Sequence, residues 1–296
     1  MSYMYTPLRY PGGKAKLTPF IQWIFEHNGL CDAHYVEPYA GGAGVGLSLL
    51  MTEYSRHVYL NDLSYPLTCA WKTILNNTEY MTRRVASVRV TPNTWKRQKR
   101  ILAAPEKHEP AEVGFAFFFL NRTNRSGIIN GGMIGGNDQT GRWKINARFG
   151  RSELIRRIEQ IAEYRDRISI FNMDAIEFLK HITQKLPPKA FIYLDPPYYV
   201  KGSRLYTDYY RPEDHTTIAE YVQNSLWMPW IVTYDNVKEI AKLYSARRTF
   251  SYSLNYSASA HRKASELLIP CDSLRFPKDG VCSDSGCSVK EVACWR

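Results

Sequence analysis

The sequence predicts an α/β protein with a Rossmann-like sheet, interrupted by an inserted and mainly helical segment. Three observations predict this class: short apolar strands alternate with helical segments, a glycine-rich loop follows the first strand, and acidic residues follow several strand ends. The alternation stops between residues 65 and 151 and then resumes. We therefore expect a discontinuous sheet domain at 1–64 and 152–270, an inserted domain at 65–151 and a cysteine-containing tail at 271–296.

The elements before the insertion follow one another in the order expected of a nucleotide-binding sheet. Apolar residues at helical spacing predict a helix over 17–28. A strand at 34–37 then leads into a glycine loop at 38–42 and a helix at 45–50. A second strand at 57–61 ends on Asp62. A glycine loop after the first strand and an acid after the second are typical of sheets that bind nucleosides.

The insertion and the second half have equally clear patterns. The insertion contains predicted helices at 67–75, 79–88, 94–102 and 112–120, and a hairpin or ordered loop at 128–147. After it, helices are predicted at 152–164, 175–184 and 214–224, and strands at 168–172, 191–194, 230–233, 249–254 and 266–269. The strand at 191–194 is wholly apolar, which indicates that it is buried on both faces.

The composition of the 296 residues excludes several classes of protein. Hydrophobic residues make up 44% and charged residues 23%, as is ordinary for a soluble globular chain. The longest apolar run, 113–120, is far shorter than the ~20 residues that span a bilayer. No secretory signal pattern opens the chain, so we expect a cytoplasmic protein without a membrane partner.

The positive charge of the chain is concentrated in the insertion. The net charge is +11, and residues 65–151 hold 15 Lys or Arg against 5 Asp or Glu, while the remainder holds 24 against 23. A localised basic field predicts a polyanionic partner, nucleic acid first and an acidic membrane surface second. A highly charged solvated surface is the alternative.

The tetrapeptide Asp195-Pro196-Pro197-Tyr198, directly after a predicted buried strand, carries the most chemical information. An exocyclic amine on an aromatic base is a weak nucleophile because its lone pair is delocalised. Asp195 and the Pro196 carbonyl can both accept hydrogen bonds from such an amine, and Tyr198 offers a flat face for stacking a base. A proline turn capped by an Asp is the purely structural alternative.

Two glycine-containing blocks precede the insertion. The first runs from Pro7 to Lys14, and Ala15 follows where a phosphate-binding P-loop would need Ser or Thr. The second runs from Val36 to Gly44, and Leu47 breaks the dinucleotide pattern where a third glycine is needed. Both blocks allow close approach of the backbone to a ligand, and neither favours NAD or a nucleoside triphosphate.

These blocks resemble, in the same order, the Dam-type family of adenine-N6 DNA methyltransferases (D12 class, alpha group). The match runs from about residue 6 to residue 270. The resemblance implies S-adenosyl-L-methionine as cofactor, S-adenosyl-L-homocysteine as product, no metal, and a flipped adenine as methyl acceptor. It also implies a bacterial, phage or plasmid setting. Whether a restriction enzyme accompanies the protein is left open. The catalytic residues implied are Asp195, Pro196, Pro197 and Tyr198.

The cofactor site implied by the same resemblance combines both glycine blocks with three acids. Its residues are Tyr10, Lys14, Glu37, Pro38, Gly41, Gly42, Gly44, Asp62, Asp174 and Asp195. Lys14 is suited to a carboxylate such as the methionyl group, and Asp62 to the ribose hydroxyls. Family members usually carry Trp at the position of Tyr10 and Phe at the position of Ala175. Helix capping is the structural alternative for both Asp62 and Asp174.

The insertion resembles the target-recognition region of that family, so duplex DNA is the predicted partner. Candidate contacts are Lys96, Arg97, Lys99, Arg100, Asn121, Arg122, Asn124, Arg125, Asn130, Arg142 and Lys144, with Arg262 and Lys263 near the C-terminus. Arg suits guanine and Asn suits adenine, while the cluster at 96–100 suits phosphates. Enzymes that read GATC usually carry Arg near the position of Asn130, so its absence argues against GATC.

Four of the cysteines lie near the C-terminus. Cys271, Cys282, Cys287 and Cys294 have no zinc-knuckle spacing, so free thiols in a loose tail are expected.

An RNA adenine-N6 methyltransferase, a DNA cytosine-N4 methyltransferase and a non-catalytic DNA-binding relative stay open as alternatives. No obligate protein partner is evident, and the oligomeric state is open.

Overall fold

The computed structural model describes residues 5–10, 13–200, 210–254, 264–277, 281–282 and 287–291. Within these ranges nine strands form one mixed sheet. They are β1 (Ala33–Glu37), β2 (Ser55–Asn61), β3 (Ile168–Phe171), β4 (Ala190–Leu194), β5 (Trp230–Asp235), β6 (Phe250–Leu254), β7 (Ala264–Pro270), β8 (Val281–Cys282) and β9 (Cys287–Glu291). Their spatial order is β3-β2-β1-β4-β5-β7-β6-β9-β8.

The order of the strands places a ligand site in the middle of the sheet. The first five strands are parallel to one another, and β7 pairs with β5 in the antiparallel sense. The chain builds outwards from β1 through β2 to β3, then returns to β4 on the other side of β1. Ligands of open α/β sheets bind where the strand order reverses in this way, outside the carboxyl ends of the strands.

Ten α-helices surround the sheet in the described ranges. They are α1 (Thr18–His27), α2 (Gly44–Met51), α3 (Tyr65–Asn76), α4 (Thr78–Ser87), α5 (Pro92–Ala103), α6 (Pro110–Thr123), α7 (Arg151–Glu163), α8 (Ala175–Thr183), α9 (Pro212–Ser225) and α10 (Lys238–Leu243). Proline stands in the first turn of α5, α6 and α9, where its missing N–H costs no hydrogen bond. No helix in the described part of the chain is long and apolar enough to cross a membrane.

The inserted helices share the core of the sheet. Phe115, Phe118 and Phe119 on α6 and Trp71 on α3 are almost fully buried, in the same cluster as the apolar residues of β1 and β4. This burial follows from the sequence of α6, where apolar residues occupy nearly every position between 113 and 120. The predicted helices of the insertion are therefore confirmed, and they pack as an extension of the core.

The Rossmann-like α/β class is confirmed, with differences in two segments. The expected hairpin or loop at 128–147 contains turns, and a single isolated bridge pairs Asn124 with Met133. The expectation of a loose tail does not hold for β9, which pairs with β6, nor for Cys271, which is buried. A backbone N–H, that of Trp230, donates to the Cys271 sulfur at 3.4 Å, so this thiol belongs to the edge of the core.

Candidate active site

The four acids predicted at strand ends lie around one cavity. Glu37 ends β1, Asp62 follows β2, Asp174 follows β3 and Asp195 follows β4. All four line a cavity of about 670 Å³, which is the size of a pocket for a nucleoside-like ligand. Parallel strands bring their carboxyl ends to the same edge of the sheet, so residues far apart in the sequence meet there.

The glycine loop and Tyr10 form one wall of this cavity. Gly41 has a φ of +46°, and a Cβ atom there would lie 2.8 Å from the ring of Tyr10, so a side chain would be both strained and crowded. The Trp71 indole N–H donates to the Gly41 carbonyl at 3.0 Å, which ties α3 of the insertion to the loop. The predicted cofactor residues Pro38, Gly42 and Gly44 also line the cavity.

Asp62 and Asp174 each hold backbone at the cavity edge. The two oxygens of Asp62 accept from the N–H groups of Gly41 and Ser64, each at 3.0 Å. Asp62 therefore fixes the glycine loop, and it is not the N-cap of α3, whose cap residue is Ser64. Asp174 caps α8 through Oδ1, which accepts from the N–H groups of Ile176 and Glu177. Both residues combine a structural contact with a place in the cavity wall.

Glu37 is buried with one carboxylate oxygen left without a partner. Oε1 accepts from the Tyr35 hydroxyl at 2.8 Å and from the Gly46 N–H at 3.1 Å. Oε2 has no hydrogen-bond partner among the described residues. Burial raises the pKa of Glu37 to about 8, although these two hydrogen bonds oppose the rise. A positively charged or donor group of a ligand in the cavity would satisfy Oε2.

Asp195 and Lys14 form an ion pair in the wall of the cavity. The Lys14 ammonium lies 2.9 Å from the Asp195 carboxylate and 3.4 Å from that of Glu266. Burial disfavours the charged form of Lys14, but the negative charge around it, that of Asp195 foremost, holds the pKa of Lys14 well above its usual value. The sequence predicted Lys14 as a cofactor-binding residue suited to the methionyl carboxylate, and its partners in the structure are carboxylates of the protein.

Several groups and the burial of the side chain shift the pKa of Asp195 in opposite directions. Burial raises the pKa of its carboxyl group, the Lys14 ammonium opposes the rise, and the Glu266 carboxylate adds to it. Asp195 Oδ1 also accepts from the Thr233 hydroxyl at 2.8 Å. Its side chain is 21% exposed, whereas that of Lys14 is 3% exposed, and both residues line the cavity.

The rest of the predicted tetrapeptide is arranged around this pair. Pro197 lines the cavity and Pro196 is buried next to it. Tyr198 is 9% exposed, and its hydroxyl donates to Glu266 Oε1 at 2.8 Å. The Lys14 ammonium lies 5.0 Å from the centre of the Tyr198 ring. Tyr198 is not among the described residues that line the cavity, so its predicted stacking role stays a prediction, and its hydroxyl end is held by a second carboxylate.

Several residues of the site were missed by the sequence interpretation. Asp235 at the end of β5 accepts from the N–H groups of Tyr199 and Val200, which fixes the backbone after the tetrapeptide. The rule that acids follow strand ends would have found it. Tyr210 also lines the cavity, with its hydroxyl 2.8 Å from that of Tyr39. Nothing in the local sequence signals Tyr210.

The candidate DNA contacts divide by exposure. Those exposed to solvent are Lys96, Arg97, Arg100, Arg125, Asn130, Arg142 and Lys144. Trp143 is 61% exposed between two of them, and the guanidinium of Arg142 lies 5.3 Å from the centre of its ring. Arg262 and Lys263 lie outside the described residues.

Asn121 and Asn124, which the sequence predicted to contact nucleic acid, have buried side chains that bond to other groups of the protein. Asn121 accepts from the N–H of Arg9 and donates to the carbonyls of Arg9 and Gly127. Asn124 accepts from the Trp95 indole and donates to two loop carbonyls. An amide can satisfy a backbone N–H and a carbonyl at once, so these two residues join α6 to the loops around it.

Three cations in the set are bound to backbone carbonyls, and one of them is the exposed Lys144, whose ammonium donates to the Gln139 carbonyl at 2.6 Å. The Lys99 ammonium donates to the Ile129 carbonyl at 2.7 Å, and burial lowers the pKa of this half-buried lysine. Arg122 donates to the carbonyls of Arg148 and Pro7. Burial, with the neighbouring arginines, lowers the pKa of Arg122 to about 9. The sequence predicted a phosphate contact at Lys99 and a phosphate or base contact at Arg122, and in the structure both side chains bond to the protein's own backbone.

Acidic, histidine and cysteine side chains were also compared with the needs of a metal ion. No group of three or more of them is arranged for metal binding in the described ranges. Asp62, Asp174 and Asp195 each accept from groups of the protein, whereas Glu37 keeps one oxygen without a partner among the described residues.

The chain was compared with known proteins in three ways. A family model described as D12 class N6 adenine-specific DNA methyltransferase matches residues 10–258, which include the glycines of both blocks and Asp195–Tyr198. A search among curated proteins found no match. The crystal structure of protein LPL1258 from Legionella pneumophila str. Philadelphia 1 is similar over 90% of this chain and 86% of that chain, with 12% sequence identity and a TM-score of 0.35. A TM-score this low carries no argument about fold or function.

Proposed function

The chain belongs to the D12 class of N6 adenine-specific DNA methyltransferases, and from that premise we propose that the cavity at the sheet edge is its methyl-transfer site. Membership of this family makes it an S-adenosylmethionine-dependent enzyme that methylates adenine in DNA. The observation that carries the proposal is the shared cavity. Asp195 lines the same 670 Å³ space as the glycine loop, Asp62 and Asp174. The acceptor-binding and donor-binding groups are therefore adjacent.

The polar and aromatic residues that line the cavity fit S-adenosylmethionine. The unpartnered, buried Oε2 of Glu37 suits the ammonium of the methionyl group, since a buried carboxylate oxygen is stabilised by a charged donor. We assign Asp62 to the ribose hydroxyls and Asp174 to the adenine amine, with Tyr10 and the glycine loop against the ligand. Tyr210 adds an aromatic side chain to the same cavity, whereas Ala175 stands where the family usually has Phe.

The cofactor, when bound, supplies a methyl group on a positively charged sulfur, and the adenine amine gains that methyl and releases one proton. The protein must aim the amine, because the methyl donor is already activated. Asp195 and the Pro196 carbonyl accept hydrogen bonds from the amine and localise its lone pair. Lys14 and Thr233 hold the Asp195 carboxylate at 2.9 and 2.8 Å. Tyr198 provides the face against which the flipped base stacks.

The exposed cations of the insertion supply the DNA-binding surface in this proposal. Lys96, Arg97 and Arg100 project from α5 and suit phosphates, which position DNA without reading its sequence. Arg142, Trp143 and Lys144 form a second exposed group that suits base edges or stacking. The order of the blocks, with the insertion between the glycine loop and Asp195, supports a Dam-type enzyme of the alpha group that acts on duplex DNA in a bacterial, phage or plasmid setting.

Substitution of Asp195 tests the proposal. We expect Asp195→Ala to reduce methyl transfer to duplex DNA by on the order of 10²–10⁴-fold, because the amine loses a positioned acceptor. The assay follows a labelled methyl group from the cofactor into duplex DNA, with structured RNA as a second substrate. The matched control is Asp166→Ala, since Asp166 is an exposed acid that does not line the cavity.

Analysis of the methylated product separates the remaining alternatives. N6-methyladenine in duplex DNA supports the proposal, whereas N4-methylcytosine or preferential methylation of RNA contradicts it. Full activity of the folded Asp195→Ala variant would refute the assignment of the site. Sequencing of modified DNA from a methylation-free host that expresses the chain would identify the target motif.

A further inference from the structure

Glu266 is a buried acid that none of the sequence motifs includes. It lies near the start of β7, which runs antiparallel to β5, so that Glu266 pairs with Asp235 at the end of β5. Because β7 runs antiparallel to β5, the start of β7 lies beside the end of β5. Glu266 therefore lies at the same sheet edge as Asp195. The residue is 3% exposed, although 71 positions in the sequence separate it from Asp195.

The carboxylate of Glu266 contacts three groups of the proposed site and its surroundings. Oε1 accepts from the Tyr198 hydroxyl at 2.8 Å, and Oε2 accepts from the Tyr252 hydroxyl of β6. Lys14 lies 3.4 Å from Oε2. Since Lys14 also contacts Asp195 at 2.9 Å, one ammonium group stands between two carboxylates.

This arrangement is costly if it serves stability alone. A buried carboxylate must be paired and hydrogen-bonded to persist, and apolar residues of similar volume usually stabilise a core as well or better. Here one cation serves two acids, so with all three groups ionised the cluster keeps a net negative charge. The cost falls at the two residues, Asp195 and Tyr198, that the methyl-transfer site depends on.

We infer that Glu266 is a positioning residue of the methyl-transfer site, which holds the ring of Tyr198 and, through Lys14, the orientation and charge of Asp195. The inference rests on the proposed roles of Asp195 and Tyr198. Glu266 itself does not line the cavity, so it acts through its neighbours. The like charge of Glu266 also contributes to the raised pKa of Asp195, after the larger effect of burial.

The charged and titratable groups around Glu266 determine what its removal does. Lys14 approaches from the N-terminal block, Asp195, Tyr198 and Tyr193 from β4 and the loop after it, and Tyr252 from β6. Glu266→Gln removes the negative charge and keeps the shape. Without a neighbouring like charge, Asp195 should ionise at a lower pH.

The test compares Glu266→Gln with Glu266→Asp and with the control Glu163→Gln, which neutralises an exposed acid on α7. We expect Glu266→Gln to lower kcat by roughly 10²-fold through misplacement of Asp195 and Tyr198, with the Kd of S-adenosylmethionine little changed. The acid limb of the kcat profile should move to lower pH in Glu266→Gln. It should keep its position in Glu266→Asp, which retains the charge. A purely structural role would not move that limb.

The variants also separate failure of this inference from failure of the proposed function. If Asp195→Ala is inactive while Glu266→Gln keeps the wild-type kcat and pH profile, the inference is refuted and the site assignment stands. If Asp195→Ala is active, the site assignment fails first. Should Glu266→Gln not fold, Tyr198→Phe removes the hydroxyl bonded to Glu266 without changing charge. It should then lower kcat without moving the acid limb, and an unchanged kcat would overturn the inference.

Discussion

The edge of the sheet and the surface of the insertion both carry many charges, but they use them differently. Lys14, Glu37 and Glu266 are each less than 5% exposed, and each contacts named protein groups. Lys96, Arg97 and Arg100 are exposed on a helix of the basic insertion. A buried charge requires a partner within the protein, whereas an exposed one is solvated and gains its main interactions when a ligand arrives.

Because buried side chains have partners within the protein, the structure shows the neighbours of the predicted residues at the sheet edge more fully than those of the exposed residues on the insertion. At the sheet edge the sequence named residues whose neighbours are now visible, and Asp195 and Lys14 prove to be one ion pair. On the insertion, the side chains with visible partners, such as Asn121, are the ones that proved structural. Lys96, Arg97 and Arg100 on α5 are exposed to solvent.

The largest expected effect comes from Glu37, because its buried carboxyl group has a pKa far from that of a surface acid. Its pKa is about 8 in the folded protein against an ordinary 4.5, so between these values the folded state keeps a proton that the unfolded chain has lost. Stability should therefore fall as the pH rises through this window. Glu37→Gln removes the fall, and above pH 8 the variant should be more stable than the parent by about a few kcal/mol.

The measurement is denaturant unfolding of both proteins without cofactor from pH 5 to 9. Other titrating groups are common to the two proteins and cancel in the difference. Parallel stability curves would show that Glu37 titrates like an exposed acid. The same variant should bind S-adenosylmethionine more weakly, because the ammonium of the ligand loses its carboxylate.

An intermediate effect is expected at Asn121, the buried amide that the sequence placed in the DNA interface. Asn121→Ala leaves the backbone groups of Arg9 and Gly127 unpaired and should cost about 1–3 kcal/mol of folding free energy. The exposed Asn130 is the matched control, and Asn130→Ala should leave the free energy of unfolding nearly unchanged. Equal destabilisation by the two substitutions would contradict the contrast between the regions.

The smallest effect on the fold is expected on the exposed face of α5. Joint substitution of Lys96, Arg97 and Arg100 by Ala should weaken DNA binding and flatten its salt dependence. The slope of log K against log salt should change by roughly 0.9 for each phosphate that the variant no longer neutralises. The melting temperature and cofactor affinity should stay close to those of the parent.

The control for this surface removes three exposed cations from the sheet domain, Arg56, Lys189 and Lys242. Titration of a labelled duplex at several salt concentrations measures both slopes. An equal reduction in the two variants would mean that the basic insertion has no special part in DNA binding.

The sequence predicted most of the secondary structure because each element has a strong local pattern. The buried strand before Asp195 is wholly apolar, and the structure has it at Ala190–Leu194. The glycine loop and the acids after β1 to β4 were also recognisable, since local sequence determines where a strand ends. The short helix α10 and the strands β8 and β9 were missed, because α10 and β9 mix apolar with charged residues over a few positions and β8 has only two residues.

Contacts between distant segments were beyond the reach of the sequence. Asn121 in an arginine-rich motif and Asn130 in a loop look alike as polar residues of a basic segment. Only the packing of α6 against the N-terminal block buries the first and leaves the second exposed. The side chain of a helix can face core or solvent, and neighbouring elements decide which.

The sequence by itself determined the class of fold, the order of the blocks and the identity of Asp195–Tyr198, because these depend on local patterns of residue type. The tertiary structure alone decided that Lys14 pairs with Asp195, that Glu37 keeps an unpartnered oxygen and that Glu266 joins the site. The physical reason is the sheet. Strand order and direction bring side chains from distant parts of the chain to one edge, and burial there obliges each charge to find a partner.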